Sequence, residues 1–221
     1  MIDPGQLLAG IRFGDSAFPS GGFAFSSGLE GACRDGLVRD ERDAAAFAAE
    51  QLTCRWHRGD RVLLRMAWAV DDPVDVDALA EAVATMSVLR EASRRAGAAT
   101  LSTFAAIVAG VDNLTRYRIR VLAGDAPGHL PVAQAISFRA AGLTLPTAEA
   151  VAAWQVVSGI TGAALRLGIC GHLGAQRILG DLTAPMLNVL NREPPTVPAT
   201  FTAYADIAAQ RRRDGARLFA S

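Results

Sequence analysis

The chain contains no lysine: all 22 of its basic residues are arginine, balanced by 22 acidic ones. That absence removes whole classes of chemistry. No P-loop lysine can reach a nucleotide phosphate, and no side-chain amine can form a Schiff base with pyridoxal phosphate or a carbonyl substrate. A net charge of zero lacks the basic excess of a general nucleic-acid binder. Cysteine is scarce too. Cys33, Cys54 and Cys170 stand far apart with no CxxC pair, an odd, scattered set that fits reduced thiols in a cytoplasmic protein. No run approaches the ~20 apolar residues needed to span a bilayer. Met1 to Gly10 has neither the basic region nor the apolar run of a signal peptide.

What the chain does have is alanine, the strongest helix former, set between punctuating Gly and Pro in a sequence that is 51% hydrophobic. A chain of 221 residues with that content buries a substantial core without disulfides or metals. Asp40 to Val70 reads as helix, with Phe47, Leu52, Trp56, Leu63, Met66 and Val70 at roughly helical spacing and a break or kink expected at Gly59-Asp60. Val76, Leu79, Val83, Met86 and Leu89 mark another helix, and Gly97, Leu101, Phe104 and Val108 a further one. Thr115 to Leu122 (TRYRIRVL) alternates by two, as a short strand does, and reads equally as a helix end. Gly124 to Pro131 is loop by composition. A helix starts near Thr144, with Thr147 as its expected cap, Glu149 in its first turn and Val151, Trp154, Val157, Thr161 and Leu165 on one side. Leu173 to Val189 forms the next. Glu193 to Pro198 is a linker before a last helix, about Thr200 to Arg213. The expectation is one all-α domain over 1–221, a single bundle of roughly eight to ten helices. Its expected mobile ends are about residues 1–14 and a tail at about 211–221.

The segment richest in chemistry is GDSAFPSGGFAFSSGLE, Gly14 to Glu30. Its Gly14-Asp15-Ser16 invites a serine esterase reading, which needs a histidine base and an orienting carboxylate. His57, His129 and His172 are the three histidines, and Asp206 is followed by Ile, Ala and Ala rather than by an Asp-x-x-His pattern. The parallel sheet of such esterases is also absent from the expected fold. The rest of the segment, with Phe18-Pro19, Gly21-Gly22-Phe23 and Phe25, has two readings. It is a turn between helices with aromatic plugs in the core, or a loop whose aromatics meet a partner. Cys54 and His57, three apart, and Cys170 and His172, two apart, are incomplete metal-ligand sets. Arg211-Arg212-Arg213 is either an acidic-partner patch or a solvated helix end. Trp154 is either core or a surface anchor. A small-molecule-binding α domain with an interior pocket is the alternative from another class.

In order and spacing, Gly14 to Glu30 resembles the N-terminal signature of the UreF family. Three more blocks follow in the family's order: Leu89 to Gly97 (LREASRRAG), Leu165 to Leu179 (LRLGICGHLGAQRIL) and Arg217-Leu218-Phe219-Ala220-Ser221. The departures are Ile169 to His172, where Pro-Leu-Gly/Ser-Gln is usual, Arg211-Arg212 in place of a His-Glu pair, and few charges in Ala84 to Val88.

The resemblance implies an all-α, cytoplasmic, non-catalytic scaffold that works as a homodimer and binds neither nucleic acid nor membrane. It would bridge UreD (also called UreH) and the GTPase UreG in delivering nickel, the cargo rather than a bound cofactor, to apo-urease. The residues it puts forward for partner contact are Phe18, Pro19, Gly21, Gly22, Phe23, Glu30, Arg90, Trp154, Gln176, Arg217, Leu218, Phe219 and Ser221. The N-terminal segment and the tail fall to UreD, and the Trp154 helix to UreG. The family's likeness to a GTPase-activating protein would call for an arginine finger, and Arg90, Arg94 and Arg177 are arginines that could supply one.

Overall fold

A computed structural model describes residues 3–21, 26–108 and 110–200 of the chain. Among them there is no β-strand, and the all-α expectation holds. The elements are α1 (Pro4–Gly14), α2 (Leu29–Arg34), α3 (Glu41–Glu50), a π-helical stretch (Gln51–Asp60), α4 (Arg61–Trp68), α5 (Val74–Val83), α6 (Ser87–Ile107), α7 (Asp112–Ala123), α8 (Leu130–Ala140), α9 (Leu145–Arg166) and α10 (His172–Leu190). Because α3, the π stretch and α4 run on without leaving the helical region, the described residues make nine rods, within the expected eight to ten.

Local side-chain caps account for three of the starts, those of α1, α3 and α9. Asp3 accepts the Gly5 N–H at 2.8 Å and Pro4 opens α1 with a ring already set to helical φ. Residues 4–14 are therefore a helix packed on α9, where the sequence reading saw only an end of the chain. Asp40 caps α3 by accepting from Asp43 N at 2.9 Å. Thr144, not Thr147, caps α9: its hydroxyl accepts the Thr147 N–H. Thr115 to Leu122 lies inside α7, which ends on Gly124 at φ +82°, a conformation open to glycine.

Two rods are divided otherwise than their periodicity suggests. Gly59-Asp60 is no break; the departure from α-helix is the π stretch spread over ten residues before Arg61. The helix expected through Val76 and Leu89 is two, parted at Ala84–Met86, and α6 runs unbroken from Ser87 through Gly97 to Ile107. Neither Gly nor Pro marks that parting.

Helix α8 is the hub. Every residue from Pro131 to Phe138 is buried, and α4, α5, α6, α7 and α9 all pack on it. Helix α9 carries the second layer, with α1, α3 and α10 against its other sides. Between the layers sits an aromatic cluster of Phe13, Phe18, Phe104 and Phe138, with ring centroids 4.9 to 6.3 Å apart. Edge and tilted pairs of this kind add about 0.5–1.5 kcal/mol each beyond the area they bury. No helix among the described residues is long and apolar enough to cross a membrane.

Candidate interaction surfaces

The N-terminal segment folds back on α6. Phe18 joins the aromatic cluster, Thr103 Oγ1 donates to the Pro19 carbonyl at 2.8 Å, and Thr100 Oγ1 donates to the Ser20 carbonyl at 3.2 Å. Gly21 has φ +76°, and a Cβ there would stand 2.8 Å from that of Ala99. Only glycine fits this approach. Phe18 and Gly21 thus pack against the body of the protein, while Pro19 is exposed. Gly22 and Phe23 lie outside the described residues. The Asp15 carboxylate is turned onto its own backbone, accepting the Ala17 N–H, so the GDS block forms a tight turn.

Trp154 is not a core residue; it stands at the surface. It is 36% exposed, yet its indole N–H donates to the Gly14 carbonyl at 3.0 Å, and Gln155 donates to the Phe13 carbonyl at 2.8 Å. These two side chains of α9 hold the end of α1, which presents Leu7, Leu8 and Ile11 to solvent. Gln176 is exposed on α10. Glu30 is buried and paired with Arg34 at 2.8 Å.

Each arginine weighed as a finger is ion-paired. Arg90 and Arg94 both meet Glu81, and Arg177 makes a bidentate pair with Glu41 at 2.8 and 2.9 Å. Arg217, Leu218, Phe219 and Ser221 lie outside the described residues, as does the helix expected from about Thr200 to Arg213 beyond Thr200 itself.

The largest buried charge cluster was not foreseen. The Arg61 guanidinium, 1% exposed, forms a fork with Glu149, itself 4% exposed, through bonds of 2.9 Å each. Its remaining N–H groups cap α10 by donating to the carbonyls of Val189 at 2.7 Å, Leu190 at 3.1 Å and Arg192 at 2.8 Å. Arg65 bridges Glu149 to Glu193. Burial works to raise the Glu149 pKa, but the bonds from Arg61 and Arg65 outweigh it and hold the carboxyl below its ordinary value. His57 points Nδ1 at Arg61 from 3.2 Å, and burial, then Arg61, pull its pKa down. A neutral ring accepting from the guanidinium fits both facts. The signal available in the sequence was a charged residue directly followed by Val62-Leu63-Leu64; its partners, 88 to 131 positions away, gave none.

A second network joins α5, α6 and α8. Ser93 Oγ, His129 Nδ1, His129 Nε2 and Glu81 Oε2 form a line with steps of 3.1 and 2.8 Å, the spatial order of a nucleophile, base and carboxylate. Its surroundings assign it to capping. Ser93 stands mid-helix in α6, and its oxygen already accepts the Leu130 N–H at 3.1 Å. Asp77 takes the N–H groups of Gly128 and His129 at 2.6 and 2.9 Å, completing the N-terminus of α8. The adjoining cleft, lined by Arg55, Leu63, Thr85, Leu89, Ser93 and His129, encloses about 70 Å³, well under the roughly 300 Å³ at which ligand pockets begin.

No group of three or more His, Cys, Asp or Glu among the described residues could hold a metal ion. Cys170 is buried while His172 is exposed at the start of α10, so that pair does not share one environment. His57 is engaged with Arg61 rather than with Cys54.

The UreF family model matches residues 38–183, a stretch that runs from just before α3 into α10 and includes Arg61, Arg65 and Glu149 of the first network and all of the second. The chain belongs to the UreF family. Curated relatives agree over more of its length. It is 31% identical to "Urease accessory protein UreF" of Arthrobacter sp. (strain FB24) over 222 aligned positions, 97% of this chain and 96% of that one. It is 32% identical to the protein of that name from Paenarthrobacter aurescens (strain TC1), over 78% and 77% of the two chains. With the one from Cereibacter sphaeroides (strain ATCC 17029 / ATH 2.4.9) it shares 32% identity over 93% of each. Against a chain covered this fully, the N-terminal block read from Gly14 to Glu30 falls within the span of its relatives.

Proposed function

We propose that the chain is an accessory protein of urease maturation, a non-catalytic cytoplasmic scaffold that bridges UreD and the GTPase UreG while nickel, as cargo, passes to apo-urease. Membership of the UreF family over nearly the whole chain is the observation that carries this reading. The site chemistry is in keeping with it. The two polar networks end on backbone groups at helix termini, where they shape surfaces rather than confront a reactant. The N-terminal segment and the tail remain assigned to UreD, and the outer face of α9 around Trp154, with exposed Gln176, to UreG. Because Trp154 grips Gly14, these two assignments meet at α1, so engagement of one partner is felt at the surface of the other.

The test is co-expression of the full chain with its host's UreD and UreG, followed by size exclusion with mass detection. A ternary complex containing two copies of the chain is the expected result. Deleting Arg217 to Ser221, or replacing Phe23→Ala, should release UreD and leave UreG bound. Elution of the chain alone, beside control complexes that form, would overturn the scaffold reading.

A further inference from the structure

We infer that Arg61 is the positioning residue for the C-terminal side of the partner surface: its buried guanidinium fixes the direction in which residues 191–200 leave α10, and so where the UreD-facing end is presented. This rests on the UreD assignment above and names the residue behind it.

Helix α10 lacks the usual means of stopping. No residue from Asn191 to Thr200 takes the left-handed conformation that commonly follows a helix end, and the last carbonyls of any helix are left without intrahelical donors. Arg61 supplies those donors from a point 128 positions earlier in the chain. The five N–H groups of a planar fork are all engaged: Nε and one N–H of the second amine on Glu149, the other N–H of that amine on Leu190, and the two of the first amine shared among Val189, Arg192 and His57 Nδ1. A lysine, with three donors on a single nitrogen, cannot hold this set.

Stability alone does not ask for such a residue. A well-packed apolar pair of similar volume generally serves a buried site as well as an ion pair does. What the apolar pair lacks is a grip on three carbonyls, and that grip sets direction. Beyond it the strap is held at further points. Arg65 pairs with Glu193, Ala199 N donates to the Arg58 carbonyl at 2.7 Å, and Thr85 Oγ1 donates to the Thr200 carbonyl at 3.2 Å. Residues 191–200 thus cross the π stretch, the irregular part of its rod, and arrive beside the α5–α6 connection.

The experiment compares full-length wild type, Arg61→Met/Glu149→Met, Arg61→Lys and the rim control Glu193→Gln. Three readouts are taken: thermal unfolding, amide exchange over residues 189–200, and affinity for purified UreD and UreG separately. In the double variant, strap amides should exchange at least about ten-fold faster, the factor that losing one charge-assisted hydrogen bond corresponds to. UreD affinity should fall by at least a similar factor while UreG affinity holds. Arg61→Lys, which keeps the charge beside Glu149, should show the same split, and Glu193→Gln, which removes one outer hold and leaves that of Arg61, should loosen the strap less than either Arg61 variant. Should the double variant unfold, the lysine variant decides alone. Wild-type exchange in a folded Arg61 variant, or a loosened strap that binds UreD normally, would overturn the inference. Equal loss of UreD and UreG would reduce Arg61 to a general structural role and overturn it too. Failure of wild type to bind UreD would instead bring down the partner assignment, whatever the exchange data show.

Discussion

At Glu149 one carboxylate serves two arginines, and the balance of forces there has a consequence in acid. Desolvation favours the protonated form, the hydrogen bonds from Arg61 and Arg65 favour the charged one, and the bonds win. A carboxyl whose pKa is lower folded than unfolded contributes stability that is complete above its unfolded value, near 4.5, and is lost as pH falls through the folded value. His57, also lowered on folding, adds a shallower loss that begins as pH drops below about 6.5. Melting temperatures followed from pH 7 to pH 3 should therefore fall in wild type, and fall less steeply below pH 4.5 in Arg61→Met/Glu149→Met. Parallel curves would show that Glu149 is not the carboxyl that titrates. Sequence reading placed Glu149 in the first turn of its helix, with only the helix dipole to interact with, but α9 starts at Leu145 and its first turn holds no acidic residue. Its real partners come from a rod 84 and 88 positions away, and no local pattern encodes such a pairing.

Among the elements, α8 depends most on a borrowed cap. It has no side-chain cap of its own at His129; Asp77 and Ser93 reach in from α5 and α6 instead. Asp77→Ala leaves two buried N–H groups bare, and hydrogen bonds to charged groups contribute about 1.5–3 kcal/mol each. A loss of about 3 kcal/mol, read as a melting temperature roughly 6–12 °C lower, is expected for a chain of this size, with Asp77→Asn intermediate. Equal stability of the two variants would deny the cap its role. The same tight fit shows at Gly97, where a Cβ would run into the Gly128 carbonyl. Helices were legible wherever alanine and apolar spacing agreed, as in α9 and α10. Boundaries were not, when tertiary contacts set them: the parting at Ala84–Met86 carries no breaker, and the π stretch changes the turn with no proline in it. By contrast α1 announced itself through Asp3-Pro4, a cap and first-turn pair whose meaning was available and passed over.

For the molecule as a whole, two helices, α8 and α9, each gather a layer, and the family resemblance was legible because its blocks are spread in order from Gly14 to the last residue. The packing of those blocks was not: Phe18 to Gly21 of the first lie against α6, although the aromatics and glycines of that block read equally as a free loop. Charge balance has its own effect at this scale. With 22 positive and 22 negative residues and an isoelectric point near 6.8, solubility should be lowest close to pH 7 and rise by pH 8.5, because net charge keeps proteins apart. Turbidity of a concentrated sample across that range checks this; a minimum elsewhere would locate charge regulation that the composition does not contain. Finally, the bond between Trp154 and Gly14 makes the molecule optically self-reporting. Trp56 is sealed in the core and Trp68 is partly covered, so Trp154 is the indole whose emission colour and quenching by dissolved iodide follow whether α1 is seated. A partner that lifts or covers α1 can be watched through it without attaching a dye.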